Sequence, residues 1–436
     1  MVIDSIARTA QRKRYLYIVP YVFILYIIAF LDRTNVSYAA LQMNKAIGLT
    51  SQAFGFGAGI FFIGYFILEI PSTLLVERWS ARKWISRILL TWGLVAVLTA
   101  FVQNAWQFYL ARFLIGLAEA GFFPGIVLYL THWFRQQEQA RAVAFFMTAL
   151  AVSNIIGAPL SGALLDYVHW FGLAGWQWIF IIEGLPALIF GVLNFFIMVD
   201  QPEQAKWLTD EEKQWVRSEL DREAGAVRQK EHLSLRQALM HWDTWVLALV
   251  YFFAVTGFYG FGLWLPQIVK QASHQSSNLI VTLITMIPYV FSLAGMILVA
   301  NHSDRTGERK RHVFFAILLG AVGLLLSALI QQPIWLTMIF FVIASVGVYS
   351  YLGPFWTFPS VFLTDDARAG GIGLINSVGN LGGFLGPYMV GYLSSADPKI
   401  GYLYGLLFLV VCLLISSGFV LLVRRTSVRA VVSAAD

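Results

Sequence analysis

Long apolar stretches separated by short polar ones dominate the hydrophobic pattern of this chain of 436 residues. A helix needs about 20 predominantly apolar residues to cross a bilayer. Twelve stretches reach this length, at about 15–37, 53–76, 84–104, 106–130, 142–165, 176–199, 244–269, 279–301, 312–331, 334–363, 370–395 and 401–423. The pattern therefore predicts an all-α polytopic membrane protein with twelve transmembrane helices.

Short polar motifs between these stretches recur at a fixed distance. An acidic–basic pair follows the second and eighth stretches, and an Arg-Ala pair precedes the fifth and eleventh, each repeated after 227 residues. The pairs are Glu77-Arg78, Asp304-Arg305, Arg141-Ala142 and Arg368-Ala369. A parallel repeat of this kind places two bundles around a central cavity near the bilayer midplane. We predict two six-helix bundles, at 1–199 and 244–436.

The segment 200–243 is the long polar stretch between the two halves, and we interpret it as a linker. Thr209 followed three residues later by Glu212 is a capping-box pattern, which predicts a short surface helix.

The basic residues follow the topology of the chain. Of 30 Lys and Arg residues, 25 lie in or next to the loops on one side of the predicted spans, three lie in the loops on the other side, and two lie deeper within spans. The excess of basic residues in cytoplasmic loops predicts that both termini and the linker are cytoplasmic, in a multi-pass protein of the inner (plasma) membrane. The net charge of +6 is thus explained by the bilayer, and we expect no nucleic-acid partner.

Two of the predicted spans carry both an acidic and a basic residue, although the chain is 58% hydrophobic. The first contains Asp32 and Arg33, and the fourth contains Arg112 and Glu119. A charged group inside a bilayer costs about 2.5–3.5 kcal/mol even on the lenient insertion scale, so it is expected to face a water-filled cavity or an opposite charge. Arg112 and Glu119 are seven residues apart and share a helix face, about 10 Å apart along the axis.

These charges predict a site for an anion. Arg33 and Arg112 are candidate substrate ligands, because the planar guanidinium matches a carboxylate. Asp32 and Glu119 are candidate proton carriers, since an arriving substrate anion weakens the hold of the arginines on them. The alternative is that each arginine only joins helices through an ion pair with Asp32, Glu119 or a neighbour.

The predicted spans of the second half contain no charged residue, so neutral polar and aromatic side chains are the contacts expected from that half. The candidates are Tyr259, Trp356, Asn376 and Asn380, with Tyr65 from the first half. The alternatives are that the aromatic residues only pack and that each Asn bonds a neighbouring helix.

Two further carboxylates lie in predicted spans. We interpret Glu69, two residues before Pro71, as a structural or gating residue. We expect Glu183 to serve in helix packing or in a hydrogen bond between helices.

The repeat plan and its loop motifs resemble the major facilitator superfamily. The family motif is an acidic–basic pair followed by a glycine and further basic residues, and the copy at 304–310 matches it. The copy at 77–83 has Glu77 for the aspartate and Ser80 for the glycine. The resemblance implies the two-bundle fold and a gating role for Glu77, Arg78, Asp304 and Arg305.

Three longer stretches are similar to the anion:cation symporter branch of that superfamily, at 30–36, 112–125 and 175–184. This resemblance implies proton-coupled uptake of an organic carboxylate by alternating access, the carboxylate being a sugar acid, a tartrate-like acid or an aromatic acid. The identity of the acid stays open, as do the proton stoichiometry and the direction of transport. Monomer is the default oligomeric state.

Other classes of function lack their sequence signals. The seven histidines have no metal-ligand spacing with supporting carboxylates, Cys412 is the single cysteine, and a Walker motif and a nucleophile elbow are both missing. We therefore expect no enzyme activity, no cofactor and no metal. An organic-anion exchanger or exporter is the alternative among transporters, and a non-transporting membrane sensor is the alternative from a different class.

Overall fold

The computed structural model describes residues 2–228, 240–274, 277–330, 333–359, 365–396 and 402–424, and the regular elements in these ranges are helices. The helices of the first half and the linker are α1 (Val2–Tyr17), α2 (Val19–Ala46), α3 (Ser51–Arg78), α4 (Ala81–Leu98), α5 (Ala105–Glu119), α6 (Phe122–Thr131), α7 (Gln136–Met147), α8 (Ala149–Tyr167), α9 (Gly175–Ile197) and α10 (Asp210–Arg228). The helices of the second half are α11 (Trp242–Ser273), α12 (Asn278–Thr306), α13 (Lys310–Leu329), α14 (Ile334–Ser350), α15 (Leu352–Phe355), α16 (Asp365–Asn380), α17 (Gly382–Ala396) and α18 (Leu403–Leu422).

Eleven helical stretches in the described ranges are long and apolar enough to cross a membrane, and they match the predicted spans except the eleventh. The eleventh, predicted at 370–395, consists of α16 and α17, which are separated at Leu381. Neither piece alone has the length of a span, but together they cover the predicted range. The helix count is therefore consistent with the twelve predicted spans.

The fourth predicted span is also interrupted, which the sequence analysis did not predict. Helix α5 ends at Glu119, Gly121 has φ +82°, and α6 then begins at Phe122. This left-handed conformation favours glycine. A Cβ atom on Gly121 would also lie 2.4 Å from Ser72 Oγ, so glycine is required here for two reasons. The break leaves Glu119 at a helix C-terminus.

The two halves pack their helices in the same order. In the first half α3 contacts α5, α4 contacts α9, and α2 contacts both α8 and α9. The corresponding contacts of the second half join α12 to α14, α13 to α18, and α11 to both α17 and α18. This agreement is what a parallel repeat of two six-helix units produces. The borders at residues 199 and 243 stay a prediction.

The halves meet along two equivalent helix pairs, α3 with α17 and α8 with α12. A Cβ atom on Gly55 of α3 would lie 2.4 Å from the Pro387 carbonyl oxygen, and one on Gly162 of α8 would lie 1.9 Å from Thr282 Oγ1. Glycine permits this close helix packing, as its small size does in membrane helices generally. These contacts close the halves together at the end of the bundle that is remote from α1 and α10.

Asp166, near the end of α8, caps the N-terminus of α12 in the other half. Its carboxylate accepts hydrogen bonds from Ser277 Oγ at 2.8 Å, Asn278 N at 3.2 Å, Asn278 Nδ2 at 2.8 Å and Leu279 N at 2.9 Å. The first N–H groups of a helix lack partners within the helix, and negative charge is favourable there. Asp166 thus joins the two halves through hydrogen bonds on the side remote from the linker.

We expect Asp166→Ala to lower the apparent melting temperature of the purified protein in detergent, because loss of a helix cap costs about 0.5–2 kcal/mol. Asp166→Asn is the matched control, since its side-chain oxygen still accepts from a backbone N–H. It should melt between the wild type and the alanine variant. Equal melting of the alanine variant and the wild type would contradict this role.

On the opposite side, which we call the linker side, a cluster of charged residues joins α1 to the N-terminus of α7. Arg14 is 1% exposed and lies 3.1 Å from Glu138, which also contacts Arg135 at 2.9 Å. Burial alone would raise the pKa of Glu138, but the hydrogen bonds from Arg135 and the charge of Arg14 lower it below its ordinary value. Arg135 also lies 3.1 Å from Glu219, so the cluster includes the linker helix α10.

The predicted capping box of the linker helix is confirmed. Glu212 N donates to Thr209 Oγ1 at 3.3 Å, and Thr209 N donates to the Glu212 carboxylate at 2.8 Å. Lys13 of α1 also forms an ion pair with Glu212 at 2.7 Å, which is a second connection between α1 and α10. Residues 229–239 of the predicted linker lie outside the described residues.

Candidate functional site

A cavity lies between the two halves, in the middle of the bundle. Its walls come from α2, α3, α6, α7 and α8 of the first half and α11, α15 and α16 of the second. The lining residues are Tyr26, Arg33, Tyr65, Phe123, Met147, Leu150, Tyr251, Val255, Phe258, Tyr259, Tyr351, Leu352, Asn376 and Asn380. Its volume is about 30 Å³, room for about two water molecules. The packing of the two halves therefore leaves little free volume in this cavity.

Arg33 is the one cationic side chain in this lining, and it contacts both halves. One terminal nitrogen donates to Tyr259 Oη of the second half at 2.9 Å, and the other forms an ion pair with Glu119 of the first half. The guanidinium also lies over the rings of Phe61 and Tyr65, at 5.2 and 5.4 Å. The side chain is thus held at the junction of the halves by groups from each.

Glu119 and Arg112 lie behind Arg33 rather than on the cavity wall, and both are fully buried. Arg112 donates one hydrogen bond, to the Arg33 carbonyl oxygen at 3.4 Å. Its Nε and Nη1 atoms have no hydrogen-bond partner among the described residues, and the same holds for Glu119 Oε2. The structure therefore brings three of the four predicted charges together and leaves part of their hydrogen-bonding capacity unused.

Asp32 forms its hydrogen bonds with residues outside this group. Its two carboxylate oxygens accept from Trp92 Nε1 of α4 at 2.7 Å and from Asn35 Nδ2 at 3.3 Å. It is 1% exposed and is not in the cavity lining. This arrangement joins α2 to α4, and proton coupling by Asp32 stays a prediction.

Glu69 of α3 connects the halves next to the cavity. One carboxylate oxygen accepts from Asn376 Nδ2, and the other accepts from Ser377 Oγ at 2.9 Å, both on α16 of the second half. Asn376 itself lines the cavity. Glu183, in contrast, accepts from Ser161 Oγ of α8 at 2.6 Å, which is the hydrogen bond between helices that was expected.

Five of the seven predicted substrate contacts line the cavity, namely Arg33, Tyr65, Tyr259, Asn376 and Asn380. Arg112 and Trp356 are not in the lining. The Trp356 ring packs between Tyr251 and Phe123, with ring centroids 5.1 and 6.1 Å away.

The two copies of the loop motif adopt different turns. Gly307 of the second copy has φ +66°, which favours glycine, whereas Ser80 of the first copy has an extended φ of −174°. Ser80 accepts from Lys83 N at 3.1 Å and donates to Asp200 at 2.7 Å, so its hydroxyl caps α4. The departure from the family pattern at this position therefore has a structural reason.

The predicted gating residues of these loops lie at the linker side. Arg78, Asp304 and Arg305 are exposed, and Asp304 forms an ion pair with Arg309. Glu77 is the penultimate residue of α3. Their role in gating stays a prediction.

A model of the Major Facilitator Superfamily matches residues 22–387 of this chain. The chain belongs to the major facilitator superfamily. It is therefore a transporter and not an enzyme, and the predicted resemblance is confirmed.

Relatives of known name extend over nearly the whole chain. A protein of Agrobacterium vitis named "Putative tartrate transporter" is 45% identical over 431 residues, which cover 99% of this chain and 95% of the relative. A "Quinolone resistance transporter" of Acinetobacter baumannii is 39% identical over 376 residues, 86% of each chain. Relatives of the first kind fit the anion:cation symporter branch.

The fold also matches a solved structure. A bacterial homologue of the human lysosomal transporter Spinster, in an inward-facing and occupied conformation, superimposes with a TM-score of 0.72. The match covers 94% of this chain and 97% of that one at 18% identity. This likeness confirms the predicted fold, and the helix count is consistent with it.

Much of the cavity wall was not predictable from the sequence. Tyr26, Tyr251 and Tyr351 line it, yet the chain contains 18 tyrosines and nothing in their spacing marks these three. The bond between Glu69 and Asn376 was missed as well, because the two residues are 307 positions apart. A buried carboxylate in an apolar span was the available signal for Glu69.

Proposed function

We propose that this transporter takes up an organic carboxylate together with protons by alternating access. The observation that supports it is the placement of Arg33, which lines the cavity, bonds Tyr259 of the second half and pairs with Glu119 of the first. A guanidinium at this junction offers a carboxylate two parallel hydrogen bonds. The tartrate name of the relative that is 45% identical supports the same class of solute.

Competition for Arg33 supplies the coupling in this proposal. Glu119 occupies the guanidinium in the conformation described, so a substrate anion must replace it. A buried charge that loses its partner costs several kcal/mol, whereas a protonated Glu119 leaves no unpaired negative charge. Protonation of Glu119 and binding of the anion therefore favour each other.

The formal charges around the cavity support the same coupling. Arg33 and Arg112 carry two positive charges, and the carboxylates of Asp32, Glu119 and Glu69 carry up to three negative charges. Each carboxylate charge that enters adds one negative charge to this group, and one proton taken up by a carboxylate offsets it. We propose one proton for each carboxylate charge, with Glu119 as the first acceptor and Asp32 as the second.

The surroundings of the site determine how the solute reaches it. A cavity of about 30 Å³ is too small for a sugar acid or a tartrate, so the halves must separate on one side for binding.

We place the linker side in the cytoplasm of a cell with an inner (plasma) membrane, because 25 of the 30 basic residues lie there. The loop residues Glu77, Arg78, Asp304 and Arg305 are proposed to control opening on that side. The protein is proposed to act as a monomer.

Uptake into liposomes that contain the purified protein tests this function. With an acidic exterior and a neutral interior, labelled L-tartrate should accumulate above its external concentration, and a protonophore should abolish the accumulation. A thermal-shift series with tartrates, sugar acids and aromatic acids should give its strongest stabilisation with an acid. Stabilisation by cations or neutral sugars alone would refute the carboxylate assignment.

A further inference from the structure

The bond between Glu69 and Asn376 lies at the cavity wall and determines which end of the Asn376 amide faces Glu69. Both carboxylate oxygens of Glu69 act as hydrogen-bond acceptors, so the carboxylate holds the amide nitrogen of Asn376 and not its amide oxygen. The structure has this arrangement, since Asn376 Nδ2 donates to Glu69. The second Glu69 oxygen is held by Ser377 Oγ at 2.9 Å, which restrains the carboxylate from rotating.

Because Glu69 holds the amide nitrogen of Asn376, the carbonyl oxygen is the polar atom of this side chain that remains for a solute in the cavity. Asn376 lines the cavity, and its hydrogen bond with Glu69 uses Nδ2, while no hydrogen bond between the described residues has its Oδ1 as acceptor. A carbonyl oxygen cannot bind a carboxylate, because both groups are acceptors. It can accept a hydrogen bond from a hydroxyl group.

This acceptor lies near the cationic end of the site. Glu69 and Tyr65 are four residues apart on α3, about 6 Å along the axis and on one face. The ring of Tyr65 is the one over which the Arg33 guanidinium lies at 5.4 Å. A solute whose carboxylate binds Arg33 therefore has its neighbouring carbon atoms within reach of the α16 wall.

We propose that Glu69 is a positioning residue that presents the carbonyl oxygen of Asn376 to a hydroxyl group of the substrate, so that the transporter selects hydroxylated carboxylic acids over their deoxy analogues. This inference rests on the proposed function and narrows its substrate class. Since Glu69 and Asn376 belong to different halves, the acceptor is oriented only while the two halves are in contact at this hydrogen bond. Selection of the hydroxyl group then occurs at closure, as in induced fit.

Two probes that differ only in hydroxyl groups test the proposal. L-tartrate and succinate are four-carbon dicarboxylates, and tartrate has a hydroxyl group on each central carbon. Isothermal titration of the detergent-purified protein should give a dissociation constant about tenfold lower for tartrate than for succinate, the worth of one neutral hydrogen bond. In Glu69→Gln the ratio should fall to about unity, because glutamine also donates and lets the Asn376 amide turn over.

Two controls distinguish the loss of Asn376 orientation from a general loss of stability. The two dissociation constants are measured on the same variant, so a smaller folded fraction affects both measurements alike. The ratio of the two constants is then unchanged. Glu183→Gln removes another buried membrane carboxylate, which bonds Ser161 away from the cavity, and it should keep the wild-type ratio. Should Glu69→Gln fail to fold, Asn376→Leu removes the amide itself and should abolish the same preference.

The outcomes are distinguishable. Equal binding of tartrate and succinate by the wild type would overturn the proposal while leaving carboxylate transport intact. A wild-type ratio that persists in Glu69→Gln or in Asn376→Leu would also overturn it. If the wild type binds neither dicarboxylate nor any other acid, the proposed function fails, and this inference fails with it.

Discussion

Replacing Arg33 with alanine is expected to weaken binding of the substrate acid by about 30-fold or more and to reduce uptake to the background of empty liposomes. Arg33 is the cation that lines the cavity among the described residues. Removing one partner of a buried, hydrogen-bonded charge pair costs about 2–5 kcal/mol, and every 1.4 kcal/mol is a factor of ten in affinity. The measurement is isothermal titration with L-tartrate beside uptake of the labelled acid.

This substitution also leaves Glu119 buried without its cation, which destabilises the fold by about 3–5 kcal/mol. Arg33→Lys keeps the charge but lacks the planar fork, so it should fold and still bind the acid more weakly than the wild type. Arg14→Ala is the matched control, because it also breaks a buried Arg–Glu pair but lies far from the cavity. It should lower the melting temperature and leave tartrate affinity unchanged. Wild-type affinity in Arg33→Ala would remove Arg33 from the site.

Replacing Glu119 with glutamine is expected to abolish accumulation driven by a pH gradient while exchange of internal for external substrate continues. Glutamine is close in shape to a protonated glutamate and cannot release a proton. It therefore leaves the Arg33 guanidinium available to the anion in every state. The ratio of internal to external tartrate should fall from well above one to about one, and counterflow in liposomes preloaded with unlabelled tartrate should persist.

Two further carboxylate variants make this result specific. Glu183→Gln removes a buried carboxylate outside the cavity lining, and it should retain accumulation. Asp32→Asn tests the second proton acceptor, which is bonded to Trp92 and Asn35 rather than to an arginine. Full accumulation by Glu119→Gln together with its loss in Asp32→Asn would transfer the proton-carrying role from Glu119 to Asp32.

The spans and the repeat were predictable because both depend on local features of the chain. The bilayer requires about 20 apolar residues for each helix, and each span carries that requirement in its own sequence. The breaks were less predictable, because a helix interruption such as that at Gly121 depends on what lies against it, in this case Ser72. The closely spaced Gly121 and Pro124, and the pair Gly382-Gly383, were the signals for the breaks.

The charged residues of the site were predictable as a group, but their division of roles was not. Any charge in an apolar span is costly, which marks Arg33, Arg112 and Glu119 without a structure. Only the packing places Arg33 on the cavity wall and Arg112 behind it, although both are arginines in charged spans. It likewise joins Asp32 to Trp92 rather than to Arg33, its neighbour in sequence.

The sequence alone determined that this protein is a twelve-span transporter of two similar halves, with the charges of its spans in the first half. The length of an apolar stretch, the basic residues of a loop and a charge in a span each depend on how single residues interact with water or lipid. Each can therefore be evaluated from the sequence, residue by residue. The tertiary structure decided which side chains meet across the halves, such as Arg33 with Tyr259 and Glu69 with Asn376. Such contacts join residues more than 200 positions apart, so they depend on how the helices pack and not on any local pattern.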